Sequence, residues 1–263
     1  MLAERPDYSV LSVTCRDDHL RWSAAESRND YRLVLVRRGR FRRRAAGVSV
    51  DLDPTVAYLG VPGEEEHFAH PADGGDVCTA ISLSPRLWRT LAGEDPTSRI
   101  VYVDAAMDLT HRRLLRSTDD VDYALAEQLA QLVRPAGHAC GYERLVDQAR
   151  QAITADHPAA AGLFPLAELI GTSPYRLSRA FSRRLGVSVT RYRNRVRVAR
   201  AMDRLEAGQP HLGQLAADLG FADQAHLTRT VKEHLGHTPM VVRELLRGPR
   251  RSSPPGLPAP PVD

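Results

Sequence analysis

The chain has 263 residues, with 36 Lys and Arg against 32 Asp and Glu and a formal net charge of +4, and this length is sufficient for two domains with separate cores. No apolar run approaches the ~18 residues of a membrane-spanning helix, and the N-terminus lacks the features of a signal peptide, so we expect a cytoplasmic protein without membrane contact. Cys15, Cys78 and Cys140 are widely spaced and indicate neither a disulfide framework nor a zinc finger.

The first 85 residues contain short segments rich in β-forming residues and separated by turn residues. The clearest predicted strand is Tyr31 to Val36, which ends near the turn residues Arg38 and Gly39. Further strands are predicted around Val10 to Val13, at 41–44, 48–52 and 56–61, around Phe68, and at 77–83. Short strands at this spacing are typical of a small barrel or sandwich, and a closed sheet can enclose a ligand.

The pattern changes after Ser84 and Pro85. Periodic apolar residues predict helices at 86–91, 110–117, 121–133 and 142–155, with one more strand at 100–103. Pro135 and Gly137 interrupt the pattern and predict a linker between two domains. The tail from Gly248 is rich in proline, so we expect it to be disordered.

A short pattern occurs twice between residues 166 and 238. The first copy contains Leu166-Ala167-x-x-Ile170-Gly171, Leu177-Ser178-Arg179-Ala180-Phe181 and Leu185-Gly186. The second copy contains Leu215-Ala216-x-x-Leu219-Gly220, Leu227-Thr228-Arg229-Thr230-Val231 and Leu235-Gly236. Each copy predicts two short helices joined by a tight turn. A second helix with a polar, arginine-bearing face is typical of the helix-turn-helix, in which that helix enters the major groove of DNA.

The segment between the two copies, residues 188–207, is predicted to form one helix. It lacks Gly and Pro and carries an apolar stripe that includes Val189, Tyr192 and Val196. At about 1.5 Å per residue the helix would be roughly 30 Å long. Because successive major-groove faces of B-DNA lie ~34 Å apart, this connector could place both recognition helices on one side of the duplex.

The distribution of charge agrees with this interpretation. Residues 142–251 contain 18 Lys and Arg against 10 Asp and Glu, a net charge of +8, whereas the rest of the chain has a net charge of −4. The basic half is therefore the half that carries the repeat, as binding to DNA phosphates requires.

The stretch from Tyr142 to Leu246 resembles the DNA-binding domain of the AraC/XylS transcription regulators. The resemblance is most specific in Leu215-Ala216-x-x-Leu219-Gly220-Phe221-x-Asp223-Gln224-x-His226-Leu227-x-Arg229-x-Val231-Lys232 and Leu235-Gly236-x-Thr238-Pro239. Val231 stands where the family usually has Phe or Tyr, and Val242-Arg243 replaces an aromatic–Arg pair, but both changes keep an apolar residue. The resemblance implies a two-lobed helical domain that binds an asymmetric site of roughly two helical turns.

In the same resemblance the N-terminal half corresponds to a cupin-like barrel, and the turn Pro62-Gly63-Glu64-x-Glu66-His67 looks like one common there. The expected fold is therefore α+β: a cupin-like β-barrel with flanking helices, and an all-α domain with two helix-turn-helix motifs joined by a linker helix. We expect a sensing and dimerisation domain at 1–135, the DNA-binding domain at 136–247 and a disordered tail at 248–263.

The resemblance implies a sequence-specific transcription regulator, more often an activator than a repressor, that has no catalytic site and needs no cofactor. Its expected partners are double-stranded DNA, a second copy of the chain, an unidentified small-molecule effector and RNA polymerase. Two alternatives are a cupin-type metalloenzyme with a nucleic-acid-binding appendage and a regulator whose barrel binds only protein partners.

Two groups of side chains are predicted to contact DNA. By resemblance and by helix face, the candidates for reading bases are Tyr175, Arg176, Ser178, Arg179, Gln224, Ala225, His226, Thr228 and Arg229. Arginine can bind guanine and glutamine can bind adenine through two hydrogen bonds each. An alternative role for Arg179 and Arg229 is a salt bridge within the domain. The candidates for phosphate contacts are Arg183, Arg184 and Lys232.

Two clusters in the N-terminal half have competing interpretations. His67, His70, Glu64, Glu66 and Cys78 could form a metal site, but the histidine spacing differs from the cupin pattern, and the two side chains would leave opposite faces of a strand. We therefore predict no metal site. The arginine-rich run at 37–44 could bind an anionic effector or help to hold DNA, or it could be the solvated arm of a hairpin.

Overall fold

The structure, a computed structural model, describes residues 3–15, 20–70, 75–92, 99–116, 144–209 and 211–247. Several sequence-based expectations lie outside these residues: the helix at 121–133 with its dimer contact, the linker near Pro135, Cys140 and the proline-rich tail.

The N-terminal half is built from antiparallel strands, and each predicted strand has a counterpart. The strands are β1 (Ala3–Glu4), β2 (Tyr8–Cys15), β3 (Tyr31–Arg38), β4 (Phe41–Ala45), β5 (Val48–Leu52), β6 (Val56–Gly60), β7 (Glu66–Ala69), β8 (Asp76–Leu83) and β9 (Ile100–Tyr102). One sheet has the order β1-β2-β8-β3-β6-β9, and a smaller sheet has the order β5-β4-β7.

The expectation of a closed cupin-like barrel is wrong. Within the described ranges no continuous ladder of hydrogen bonds joins the two sheets, and the end of β5 meets the start of β6 only at an isolated bridge between Asp53 and Val56. The chain changes sheets between β3 and β4 at Gly39, which has a φ of 76°. A Cβ atom at Gly39 would lie 2.1 Å from the backbone oxygen of Gly75, so this crossing point tolerates no side chain. The result is an open pair of packed sheets.

The larger sheet is buried on both faces. One face packs against the smaller sheet through an apolar layer that includes Val34, Phe41 and Tyr58. The other face is covered by helix α1 (Pro85–Ala92), where the ring of Trp88 stacks on Tyr31 at 4.6 Å between centroids. Helix α2 (Ala105–Leu114) follows β9 and begins five residues before its predicted start at Thr110.

The C-terminal half is helical, as the repeat predicts. Its helices are α3 (Arg144–Thr154), α4 (Leu163–Ile170), α5 (Pro174–Leu185), α6 (Val189–Glu206), α7 (Leu212–Asp218), α8 (Gln224–Leu235) and α9 (Pro239–Leu246), with a short 3₁₀ helix at Pro158–Ala161. Helix α6 is the predicted connector and is continuous over 18 residues. In the described ranges, no helix has the length and apolar character needed to cross a bilayer.

The two halves share their apolar cores. Phe181 of the first helical repeat and Tyr192 of the connector helix lie in the same cluster as Leu52 and Val56 of the sheets. Leu109 of α2 lies in a cluster with the helices of the second repeat. Each helical repeat is therefore packed on a different part of the N-terminal half.

His111 of α2 links the stability of this packing to pH. The side chain is 4% exposed. Burial lowers the pKa of His111 from 6.5 to about 4, with Arg37 and Arg112 acting in the same direction and Asp108 opposing it. Between these two values the unfolded chain binds a proton that the folded chain excludes. The free energy of unfolding therefore falls as the pH falls from 6.5 toward 4, by at most about 1.4 kcal/mol per pH unit from this residue.

We expect the substitution His111→Gln to flatten the pH dependence of stability in that window, because glutamine does not titrate. Urea unfolding of both proteins between about pH 4.5 and 7.5 measures the effect, and the carboxylates that titrate at lower pH are common to both. Parallel profiles for the two proteins would show that His111 is protonated in the folded state.

Candidate nucleic-acid interface

Local sequence signals fix the start and end of each recognition helix. Helix α5 begins at the N-cap Ser173, whose Oγ accepts a hydrogen bond from the backbone N–H of Arg176 at 3.2 Å. Helix α8 begins at Asp223, whose Oδ1 accepts one from the N–H of His226 at 2.6 Å. Both helices end at a glycine in the left-handed region, Gly186 and Gly236. The two repeats therefore present their second helices with the same local geometry.

Helix α5 buries Leu177 and Phe181 and presents a polar face on the opposite side. On that face Tyr175 is 69% exposed and Arg176 and Arg179 are exposed, while Ser178 is half-buried. Nη1 of Arg179 donates a hydrogen bond to the hydroxyl oxygen of Tyr175 at 2.8 Å, and its guanidinium lies 5.5 Å from the centre of the tyrosine ring. Tyr175 and Arg179 thus form one preassembled pair.

Helix α8 repeats this arrangement with different polar groups. Gln224, Ala225, Arg229 and Lys232 are exposed, and His226 and Thr228 are half-buried. The ring of His226 packs edge-on against Phe221 at 5.4 Å, and its Nδ1 accepts a hydrogen bond from the N–H of Ala222 at 3.2 Å. Since Nδ1 is an acceptor, a neutral ring carries its proton on Nε2, which is then a hydrogen-bond donor.

The arginines that are predicted to contact DNA differ in their exposure and in their ion pairs. Neither Arg179 nor Arg229 forms an ion pair with any residue that the structure describes, so the alternative of a salt bridge within the domain has no support. Arg183 is exposed. Arg184 is 6% exposed, and its Nη2 lies 3.1 Å from Oδ1 of Asp147. Its burial in this ion pair argues against the predicted phosphate contact.

The connector helix carries a buried cation that the sequence analysis missed. Arg195 of α6 is 0% exposed. Its Nε donates to the carbonyl of Val103 at 2.8 Å, and its Nη2 donates to the carbonyl of Pro54 at 3.2 Å and to Asp108 at 3.1 Å. Burial raises the pKa of Asp108, but Arg195 and Arg112 outweigh this and hold it below the ordinary value. The connector is therefore bound directly to the N-terminal half.

A second buried arginine makes the same connection from α3. Nη2 of Arg150 lies 2.8 Å from Oδ2 of Asp53, and Nη1 lies 2.9 Å from Oδ1 of Asp147. The connector α6 adds a further contact, since the hydroxyl of Tyr192 lies 2.8 Å from the hydroxyl of Thr55. In the sequence, Arg150 and Arg195 stand beside Ala149 and Val196, within the apolar stripes of their helices. This placement is the sequence feature that could have indicated their burial.

The residues first considered for a metal site are not brought together. Glu64 and Glu66 form ion pairs with the buried Arg43, at 2.6 and 2.5 Å. Nδ1 of His67 lies 3.0 Å from the carbonyl of Ser23. The chain instead gathers Cys15, His70 and Asp76, whose donor atoms all lie within 4.8 Å of one another. Sequence spacing could not indicate this group, because Cys15 and Asp76 meet only through the register of β2 with β8.

The arginine-rich run at 37–44 is only partly a solvated arm. Arg43 is 4% exposed and lies over the ring of Tyr58, with 4.6 Å from its guanidinium carbon to the ring centroid. Arg42 and Arg44 leave the opposite face of β4, and their guanidinium carbons lie 4.9 and 4.7 Å from the ring centroid of Trp22. Much of the run therefore stabilises the smaller sheet.

Comparison with known proteins identifies the helical half. A family model described as a helix-turn-helix domain matches residues 166–245. The arabinose operon regulatory protein of Escherichia coli (strain K12) is 27% identical over 140 residues, which are 52% of this chain and 43% of that protein. The match thus spans less than half the length of this relative.

Two solved structures are similar over different shares of the chain. An apo variant of ToxT from Vibrio cholerae strain SCE256 has a TM-score of 0.40 and 11% identity, covering 92% of this chain and 99% of that one. The C-terminal domain of AraT, a response regulator from Geobacillus stearothermophilus, has a TM-score of 0.37 and 25% identity, covering 42% and 92%. At these TM-scores the similarity adds no argument to the sequence match.

Proposed function

We propose that the helix-turn-helix region of this chain is the DNA-binding domain of an AraC-type transcription regulator, and that it reads one asymmetric DNA site with both α5 and α8. The observation that carries the proposal is the pair of exposed polar faces, each on a capped helix, at the two ends of one connector. The family model that matches is a helix-turn-helix domain and the curated relative is an operon regulatory protein, which favours this function over the alternative of a metalloenzyme.

Base reading is proposed for the exposed polar face of each recognition helix. Arg179 and Arg229 suit guanine, whose O6 and N7 accept two hydrogen bonds from a guanidinium. Gln224 suits adenine in the same way. Arg176, Tyr175 and the half-buried Ser178 extend the first face, and the second is extended by Ala225, His226 and Thr228. Arg183 and Lys232 are placed farther along their helices and suit phosphates.

The connector supports reading of two adjacent major grooves. Helix α6 has 18 residues without a break, which at about 1.5 Å per residue gives a length of about 27 Å. This length is of the order of the ~34 Å repeat of the duplex, and the recognition helices add their own width at both ends. A rigid connector would then fix the distance between the two base-reading faces.

Effector control is proposed to act through the junction between the halves. A cavity of about 480 Å³ there is lined by Arg37, Arg112, Arg195 and Arg200, and also by Asp51, Asp53 and Asp203. Nη1 of the buried Arg195 has no hydrogen-bond partner among the residues that the structure describes. A carboxylate in this cavity would satisfy that donor and contact both halves. A ligand that prefers one arrangement of the halves shifts how often the DNA-binding helices are correctly placed.

The remaining parts of the proposed mechanism come from the family resemblance alone. They are a division into a sensing half and a DNA-binding half, a homodimer formed through helices after the sheets, and activation through RNA polymerase. In the described residues the shared cores and the buried arginines make the two halves a single packed body.

For the base-reading role, we expect Arg179→Ala or Arg229→Ala to weaken specific binding by about 1 to 3 kcal/mol and to relax preference at one base pair. Lys232→Ala should weaken all sequences alike and lower the salt slope by about one. Footprinting followed by competition titrations against singly substituted sites measures both effects. Arg86→Ala, in the exposed face of α1, is the matched control. Unchanged base discrimination in both arginine variants would sink the base-reading role.

For two-groove reading, we expect insertion of about five base pairs between the two halves of the site to abolish specific binding, because it rotates one half by about half a turn. Insertion of about ten base pairs returns the two half-sites to the same face of the duplex but leaves them too far apart. A protein with a rigid connector should therefore not bind this site either. Gel-shift titrations of the three sites measure this. Full affinity for either lengthened site would rule out the fixed spacing.

For the junction cavity, we expect a carboxylate effector at about 100 times its Kd to raise the free energy of unfolding by about 2.7 kcal/mol. Arg37 is exposed, so Arg37→Gln should leave the unliganded stability unchanged and reduce the gain. Urea unfolding with a panel of small mono- and dicarboxylates measures this, and Arg86→Gln is the control. An equal gain in the wild type and Arg37→Gln would place the ligand elsewhere.

A further inference from the structure

A thiol, an imidazole and a carboxylate contact one another at the ends of three strands. Cys15 is the last residue of β2 and pairs in register with Asp76, the first residue of β8. His70 directly follows β7. Sγ of Cys15 lies 3.6 Å from Nε2 of His70, and Nδ1 of His70 lies 2.7 Å from Oδ1 of Asp76. The side chains of His70 and Asp76 are 11% and 4% exposed.

The hydrogen bonds define what each group can do. A carboxylate can only accept, so Nδ1 of His70 donates to Asp76, and the lone pair of a neutral ring is on Nε2, beside Cys15. The second oxygen of Asp76 accepts a hydrogen bond from the thiol of Cys78 at 3.1 Å, which holds the carboxylate from both sides. A nucleophile next to a base, with the base oriented by a third group, is the arrangement that activates a thiol.

The same residues line a cavity between the two sheets. Its volume is about 320 Å³, and Cys15, His70, Asp76 and Cys78 share its wall with Val34, Phe41, Tyr58 and Phe68. The ring of Phe41 stacks on that of His70 at 5.9 Å between centroids. Ser23, Glu26, Arg28 and Arg32 complete the wall, so cationic groups that can donate to a carbonyl oxygen line the same cavity. The walls therefore suit a small, mostly apolar molecule with one carbonyl group.

We propose that Cys15 is a reactive thiol that forms a covalent adduct with a small α,β-unsaturated carbonyl compound in this cavity, with His70 as its base and Asp76 as a positioning residue. Nε2 of His70 takes the thiol proton, and the sulfur attacks the β-carbon. A C–S bond forms, the C=C π bond breaks and its electrons move to the carbonyl. The proton then returns from His70 to the α-carbon, so no oxidant or other reactant is needed.

A metal ion is the competing use of these three residues, and the geometry favours the thiol. Nδ1 of His70 donates to Asp76, so an ion could bind this ring only at Nε2, on the side that faces Cys15 and not Asp76. Protein zinc sites use three or four direct ligands. In such a site Asp76 would have only the outer role of orienting the histidine.

The adduct lies in a different cavity from the proposed junction effector, and it rests on the proposed function only for its regulatory meaning. A covalent ligand between the sheets would alter the packing of the smaller sheet, which carries Leu52 and the adjacent Asp53 to the helical half. The reactivity of Cys15 itself is measured without DNA, so failure of the thiol site and failure of DNA binding are separate results.

The test is labelling of the full folded chain with N-ethylmaleimide, itself an unsaturated carbonyl compound, with rates resolved for each cysteine by mass spectrometry. Burial raises the pKa of Cys78, which makes it an internal control of the same chain. We expect Cys15 to react at least about tenfold faster than Cys78 at pH 6.5, where an ordinary thiol with a pKa of about 8.5 is almost entirely protonated.

The variants His70→Gln and Asp76→Asn separate activation from folding and access. At pH 6.5 we expect His70→Gln to slow the labelling of Cys15 about tenfold and Asp76→Asn to slow it less, whereas near pH 9 all three proteins should react at similar rates. Two results would overturn the proposal. One is a rate for Cys15 that follows an ordinary thiol titration and is unchanged in His70→Gln. The other is stoichiometric zinc in the purified protein that is lost in Cys15→Ser.

Discussion

The fully buried guanidinium of Arg195 is the interaction on which the arrangement of the two halves depends. Removing a cation from water costs several kcal/mol, and this cost is offset only if the cation finds acceptors of good geometry. Here the acceptors are the carbonyls of Val103 and Pro54 and the carboxylate of Asp108, all in the N-terminal half. If the connector helix moved away from the sheets, this charge would be exposed to water or left buried without acceptors. The position of the helix relative to the sheets is therefore well defined.

Helix α6 therefore has two structural duties at once. It joins the two helix-turn-helix repeats, and through Tyr192 and Arg195 it also contacts the N-terminal half directly. A rearrangement of β5, β6 or α2 would be transmitted to the connector and hence to both recognition helices together. Coupling by a shared rigid element of this kind needs no chain of small side-chain movements between distant sites.

The features that the sequence predicted well are those set by neighbouring residues. The two helices of each repeat and the strand-forming runs depend on local signals, and the caps Ser173 and Asp223 that the structure shows likewise act within a few positions of themselves. Sheet closure, the pairing of Cys15 with Asp76 and the burial of Arg150, Arg184 and Arg195 depend on contacts between distant segments. Arg184 shows why local sequence does not predict such burial, since the preceding residue is also an arginine, Arg183, and is exposed.

The Tyr175–Arg179 pair gives the two recognition helices different mechanical characters. An arginine already held by a phenol has lost much of its rotamer freedom before any encounter, so immobilising it further costs little entropy. Arg229 has no such support in the described part of the chain and must be ordered on contact. If α5 and α8 both contact DNA as proposed, the first repeat sets the register on the duplex as the stiffer of the two, and the second adapts to variation in its half of the site.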